Sequence, residues 1–284
     1  MHFESVIEKW LKEPVIGAQA LAGGDINQVF RLQMAHSRDL VLKLNSSHSY
    51  PGMFEKEAKG LVLLSEAGGK APEVVKTFVE GSNQYLLLEF IKERRPEAAT
   101  WENFGRQLAR VHLKTSDHFG LDHDNYIGSL DQINSKKKNW SEFFVSNRLE
   151  PLIQMASNRN LLGKAQRKAF ESLYARLSKL IPEEPASLLH GDLWSGNLMF
   201  DFTGEPVFID PAVYFGHREV DIAMTRMFGG FNEIFLSSYN EIRPLESGWQ
   251  ERLGIHNLYP TLVHLVLFGS SYLSGIERTL KRFA

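Results

Sequence analysis

The run His190-Gly191-Asp192-Leu193-Trp194-Ser195-Gly196-Asn197 is followed, thirteen residues on, by Asp210-Pro211. One carboxylate, one amide and a second carboxylate in this order suit transfer of the γ-phosphoryl group of ATP. Such chemistry needs a base for the attacking hydroxyl and hard oxygen donors for the cation that bridges the phosphates. Asp192 is the expected base, and Asn197 and Asp210 are the expected Mg2+ ligands. Each residue alone would more often be a loop cap, so it is the ordered set that points to phosphoryl transfer. Leu198-Met199-Phe200 and Val207-Phe208-Ile209 are short apolar runs around a turn-rich segment at 201–206. They predict a hairpin with Phe200 facing Val207 and Leu198 facing Ile209, which sets Asn197 opposite Asp210.

Phosphates would need an upstream anchor. Residues 39–45 alternate as a strand, with Leu40, Leu42 and Leu44 on one face and Lys43 on the other. Residues 53–64 read as an amphipathic helix with an inner stripe of Met53, Phe54, Leu61 and Leu64. Glu57 falls inside that stripe and needs a partner there, because an unpaired buried carboxylate is costly. Lys43 is the natural partner, and a Lys–Glu pair of this kind positions ATP phosphates. Glu55 and Lys59 lie on the opposite face, so Glu57 is preferred. Gly23-Gly24 sits between strand-like segments, where a close backbone approach to phosphate is possible. No Walker A pattern is present, which argues against the P-loop class.

The positioning elements follow from pattern. Strands are expected around 15–33, 39–45, 73–79 and 84–91, with a hairpin turn at Glu80-Gly81-Ser82-Asn83. The polar stretch Glu93-Arg94-Arg95-Pro96 then precedes helical patterning, with Thr100 as N-cap and Phe104, Leu108 and Val111 as an apolar stripe. Further helices are expected near 140–157, 163–180, 219–229, 231–239 and 258–281. The prediction is α+β: a bilobal protein-kinase-like fold with a small β-rich N-terminal lobe at 1–91 and a larger, mainly helical C-terminal lobe at 92–284. ATP would lie between them, its adenine against the backbone of Glu89, Phe90 and Ile91. His190 is expected to brace its loop and Asp221 to accept loop amides. His112 and His264 lie on apolar stripes and are expected in the core or at its rim.

Composition narrows the alternatives. In 284 residues, 43% are hydrophobic and 23% charged, which is ample material for a core. A formal charge of −2 offers no footprint for nucleic acid or an anionic membrane, and Lys136-Lys137-Lys138 reads as a solvated loop. The absence of cysteine excludes disulfides and thiolate chemistry and is compatible with the expected cytoplasmic location. The start of the chain lacks a signal-peptide pattern. No apolar run approaches the roughly 20 residues that a spanning helix needs.

With these segments in place, the chain resembles the fructosamine kinase (ketosamine 3-kinase) family of the aminoglycoside-phosphotransferase and choline-kinase superfamily. The resemblance rests on Gly23-Gly24-Asp25-Ile26-Asn27, Phe54-Glu55-Lys56-Glu57-Ala58 and the 190–197 run. It extends to Asp124-Asn125-Tyr126-Ile127-Gly128 with Gln132, Asn134 and Trp140, and to the segment at 210–221. It implies ATP-dependent phosphorylation of the 3-hydroxyl of a ketosamine on a glycated amine or protein, an unstable product and hence a repair activity. Gly191 stands where protein kinases place Arg, Pro211-Ala212 replaces the Phe-Gly that follows their metal-binding Asp, and no Ala-Pro-Glu segment follows. A phosphorylation-switched loop is therefore not expected, which favours a small-molecule acceptor. Trp194, Asn125 and Gln132 are candidate acceptor contacts, although Trp194 could equally pack on its lobe and the two amides could simply fix the insert. A kinase for another amine or alcohol, aminoglycoside- or choline-like, and a silent ATP-binding module are the alternatives. The sequence leaves the oligomeric state open.

Overall fold

The computed structural model describes residues 3–21 and 26–284; Gly23 and Gly24, expected to approach phosphate, lie outside the described residues. Among them, the first ninety residues build an antiparallel sheet of β1 (Val15–Ala20), β2 (Gln28–Met34), β3 (Leu40–Ser46), β4 (Val74–Glu80) and β5 (Asn83–Glu89), in the order β1-β2-β3-β5-β4. β3 is central, and its period of two sorts its side chains. Leu40, Leu42 and Leu44 pack with Phe30, Leu32 and Leu87, under Phe3 and Ile7 of helix α1 (Phe3–Leu11). The opposite face meets helix α2 (Met53–Glu66), whose Met53, Phe54 and Leu61 pack with Leu86 and Leu88. Lys43 pairs in register with Leu86 and so points toward α2. The β4–β5 hairpin closes through Glu80 opposite Asn83, as the turn residues predict.

The remainder is mainly helical. α3 (Ala98–Leu113) starts at Glu97 rather than at Thr100; Thr100 is the third helical residue, and its hydroxyl accepts from the Glu97 N–H at 2.8 Å. The short strands β6 (Thr115–Ser116), β7 (Asn125–Ile127) and β8 (Leu130–Gln132) come next, followed by α4 (Trp140–Phe143), a π-helical turn at Phe144–Leu149 and α5 (Glu150–Asn158). The single helix expected over 140–157 is interrupted, because the π turn inserts a residue into its ladder. α6 (Lys164–Tyr174), α7 (Leu177–Leu180), β9 (Ala186–Leu189), β10 (Leu198–Phe200), β11 (Pro206–Phe208) and β12 (Tyr214–Gly216) carry the candidate site. α8 (Glu219–Met227), α9 (Ile234–Ile242), α10 (Trp249–His256), α11 (Leu258–Phe268) and α12 (Leu273–Phe283) complete the chain. The helix expected over 258–281 breaks at Gly269, whose φ of +92° a side chain would resist.

β12, β9 and β6 form a three-stranded sheet beneath the site, so β9 delivers the 190–197 loop from a fixed platform. The β10–β11 hairpin corrects the expected register by one residue. Leu198 pairs with Phe208 and Phe200 with Pro206, so Asn197 stands across from Ile209, not Asp210. Asp201 sets this register. Its Oδ1 accepts from the Thr203 N–H (2.8 Å), the Thr203 hydroxyl (2.6 Å) and the Glu205 N–H (3.0 Å), which tightens the turn.

Candidate active site

β3, α2 and the 209–213 segment meet around one ammonium. Lys43 Nζ lies 2.6 Å from Glu57 Oε1 and 2.6 Å from Asp210 Oδ1. Burial alone would lower the Lys43 pKa, but the Asp210 and Glu57 carboxylates outweigh it and keep the ammonium charged. Glu57 is pushed above its ordinary range by burial and by the neighbouring Asp210 charge, with Lys43 opposing both. One ammonium is thus shared by two carboxylates, and the more exposed of them is Asp210. Helix α2 comes this close because Gly60 faces Val213 and Pro211: a Cβ there would sit 3.2 Å from Val213 Cγ2. Glu57, three residues earlier, therefore reaches Lys43. Asp210 itself has φ +53°, an uncommon left-handed conformation for a residue with a side chain. That backbone turn, rather than a cross-strand position, carries the Asp210 carboxylate to Lys43.

Asp192 and Asn197 close the other side. Asn197 Nδ2 donates to Asp192 O at 2.9 Å and to Asp192 Oδ2 at 3.0 Å. The amide is thereby oriented, and its Oδ1 is the atom left to meet a cation. Asp192 is pushed up to about 7 by burial, with the Asn197 hydrogen bond opposing and the Asp210 and Asp221 charges adding to the rise. Asp221 accepts the N–H of His190 at 2.7 Å and of Gly191 at 3.0 Å, the role its position suggested. His112 supports it from α3. Its Nε2 lies 3.2 Å from Asp221 Oδ2, and the Tyr239 hydroxyl is 2.8 Å from its Nδ1. Burial lowers the His112 pKa, so a neutral ring donating from Nε2 and accepting at Nδ1 satisfies both contacts. His190 braces the loop as expected, with Nε2 on Ile209 O at 2.9 Å and Nδ1 accepting the Asp192 N–H at 3.2 Å. Gly191 adopts φ +81°, and a Cβ there would lie 2.1 Å from Ala212 O, so no side chain fits this position.

The other expected site residues are placed as follows. Glu89 ends β5, and the Phe90 N–H bonds to Asp39 O at 3.2 Å while its ring lies under the Arg31 guanidinium. Ile91 is buried. Trp194 is 39% exposed; its indole folds over Gly196, where a Cβ would meet the ring at 2.2 Å, and Phe228 stands edge-on at 6.2 Å. Asn125 and Gln132 are not open to an acceptor: both are buried, and their amides are spent inside the protein. Asn125 Nδ2 donates to Val213 O at 2.9 Å, and Gln132 Nε2 donates to Ala212 O at 3.0 Å. These amides tie the insert to the 212–213 backbone.

A second group of potential ligands, His217, Glu219 and His256, is buried, with donor atoms within 4.8 Å of one another. Arg252 grips Glu219 there, Nε to Oε2 at 2.9 Å and Nη2 to Oε1 at 2.5 Å, so a guanidinium already takes the cation's place. The role of His112 as the brace of Asp221 is not written in the sequence pattern. An imidazole on the buried stripe of α3 was the available signal, but its partner lies 109 residues away.

Sheet, helical region and this cluster together define a phosphotransferase of the kinase-like fold. A thermostable mutant of an aminoglycoside phosphotransferase, in complex with ADP and hygromycin B, has the same fold (TM-score 0.66, 15% identity, covering 100% of this chain and 99% of that one). The fructosamine kinase family model matches residues 2–284, and the chain belongs to that family. It is 40% identical over 265 residues to a probable ketoamine kinase of Enterococcus faecium, covering 93% of this chain and 94% of the relative. A solved Thermobifida fusca protein, provisionally named a fructosamine-3-kinase, superposes with a TM-score of 0.90 at 31% identity, covering 98% of this chain and 96% of that one.

Proposed function

We propose that the protein transfers the γ-phosphoryl group of ATP to the 3-hydroxyl of a ketosamine carried on a small amine or a protein. The observation that carries this reading is the meeting of Lys43, Glu57 and Asp210 from three separate segments. Residues 1–91 would hold the nucleotide and residues 92–284 the acceptor. The 89–91 backbone, at the exit of the sheet, would face the adenine. On nucleotide entry, Lys43 leaves Asp210 for the phosphates while Glu57 retains it.

The donors Asn197 Oδ1 and Asp210 fit Mg2+, because both are hard oxygens and Asp210 already holds a cation at 2.6 Å. Bound there, Mg2+ would neutralise charge on the transferring group. Asp192 orients the acceptor hydroxyl and takes its proton as the new P–O bond forms and the bond to ADP breaks. Asn197 already holds one oxygen, Oδ2, and leaves Oδ1 for that hydroxyl. Help of this kind is typically worth about 10²–10⁴-fold in rate. The exposed face of Trp194 would form a ledge for the sugar.

The test is ATP consumption by purified protein with ribulosamines, fructosamines and aminoglycosides as acceptors, with phosphorus and carbon NMR to locate the new ester. Ketosamine turnover at O3, abolished in Asp192→Ala while nucleotide binding persists, is the expected result. Turnover of aminoglycosides alone, or an Asp192→Ala variant as active as the parent, would overturn the reading.

A further inference from the structure

The largest fully buried side chain among the described residues is a cation. Arg148 has no exposed surface, and among the described residues its guanidinium meets only neutral oxygens: Ile133 O, Asn134 Oδ1 at 2.7 Å and Asn147 O at 3.3 Å. Its Nε has no hydrogen-bond partner among the described residues. The charge rests on rings instead, with Tyr214 at 3.9 Å, Phe143 at 4.6 Å and Tyr259 at 5.3 Å from ring centre to guanidinium carbon. A buried charge without a counter-ion costs stability, and an apolar side chain of similar volume usually serves a core better. Packing therefore does not account for Arg148.

Its hydrogen bonds lead to the site. Asn134, whose Oδ1 is fixed by Arg148, donates from Nδ2 to Asn125 Oδ1 at 2.8 Å and to His123 O at 3.0 Å. Asn125 donates to Val213 O, and Gln132 donates both to Asn125 Oδ1 at 2.7 Å and to Ala212 O at 3.0 Å. Ala212 O is the same atom that forbids a side chain at Gly191, and the Ala212 N–H bonds to His190 O at 2.9 Å. The network thus ends on a backbone unit that touches the loop of Asp192 and lies two residues from Asp210. Arg148 also sits in the π-helical turn at Phe144–Leu149, a distortion often found beside functional sites.

We propose that Arg148 is a positioning residue: through Asn134, Asn125 and Gln132 it clamps Ala212–Val213, and so holds Asp210 and the 190–192 loop in their working geometry. Its fork supplies directed donors from inside the core, which an apolar side chain cannot do. The inference rests on the phosphotransferase reading of Asp210. Three variants test it: Arg148→Met keeps the volume and removes the charge, and Arg148→Lys keeps the charge without the fork. Asn134→Asp gives Arg148 a carboxylate but removes the donor to Asn125.

Melting temperature, the Mg2+ dependence of AMP-PNP binding by calorimetry, and kcat against acceptor KM are measured for each. With Arg148→Met and Asn134→Asp folded, the Mg2+ needed for half-maximal binding should rise about tenfold. kcat should fall about 10–100-fold at nearly constant KM, as expected for a displacement on the order of 1 Å. Arg148→Lys should fall between these and the parent. Parental Mg2+ dependence and kcat in folded Asn134→Asp would overturn the clamp, as would losses in Arg148→Met that only follow its melting temperature. Should the parent bind Mg2+ and AMP-PNP but phosphorylate no ketosamine, the acceptor reading fails while the binding measurement still decides the clamp.

Discussion

Asp192 should impose its own titration on the rate. Its ordinary value is 3.8, and it stands near 7 because the partly buried carboxylate is desolvated, with Asp210 and Asp221 adding to the rise against the Asn197 hydrogen bond. A base works only when ionised. A group titrating at 7 is about 9% ionised at pH 6, about 50% at pH 7 and about 91% at pH 8. Acceptor kcat/KM, measured with enough Mg2+ to keep the nucleotide complexed, should therefore rise about tenfold from pH 6 to pH 8 and then level off. An unfolding artefact is excluded by following circular dichroism over the same range. Stability should run the other way. The folded value lies above the unfolded one, so the contribution of Asp192 is fully present below about pH 4 and is lost as pH rises through about 7. Asp192→Asn, although inactive, should thus melt higher than the parent at pH 8, with the advantage shrinking toward pH 5. A rate flat between pH 5.5 and 8.5, or a midpoint near 4, would refute Asp192 as a desolvated base.

Two further outcomes follow from the site. Glu57→Gln leaves Lys43 to Asp210 alone, so the ammonium should stay on that carboxylate; kcat should fall about 10²-fold with a raised KM for ATP, read from steady-state kinetics. An unchanged KM for ATP would mean that Glu57 does not share Lys43 in the working enzyme. Gly191→Ala must place a Cβ 2.1 Å from Ala212 O at φ +81°. Left-handed strain plus the displaced backbone should cost about 2–5 kcal/mol. That corresponds to a melting temperature lower by roughly 5–15 °C in calorimetry, and a shift under about 1 °C would show that the 190–192 turn gives way freely.

Lys43, Glu57 and the 190–210 signature were legible in the sequence because each rests on local geometry. A period of two turns Lys43 away from Leu42 and Leu44, a period of 3.6 puts Glu57 in the stripe of Met53 and Leu61, and both are visible within about ten residues. Asp221 and His190 were legible for a related reason, since a short tight loop must have its amides met. The hairpin register was not. Its one-residue slip depends on how Asp201 gathers Thr203 and Glu205, and a period-two pattern in apolar runs tolerates either pairing. Asn125 and Gln132 looked equally suited to an acceptor or to an insert because amides serve both. Their burial and their bonds to Val213 O and Ala212 O could not be foreseen, because those partners lie 88 and 80 residues away. Arg148 was invisible for the same cause: beside Ser146, Asn147 and Glu150 it reads as an ordinary polar helix residue, and its meaning appears only where Asn134, Tyr214 and Tyr259 surround it. The order of chemical groups and the faces of single elements are properties of the chain. Which group finds which partner across β3, α2 and the 209–213 segment depends on close packing between distant segments, and that is settled only when the fold closes.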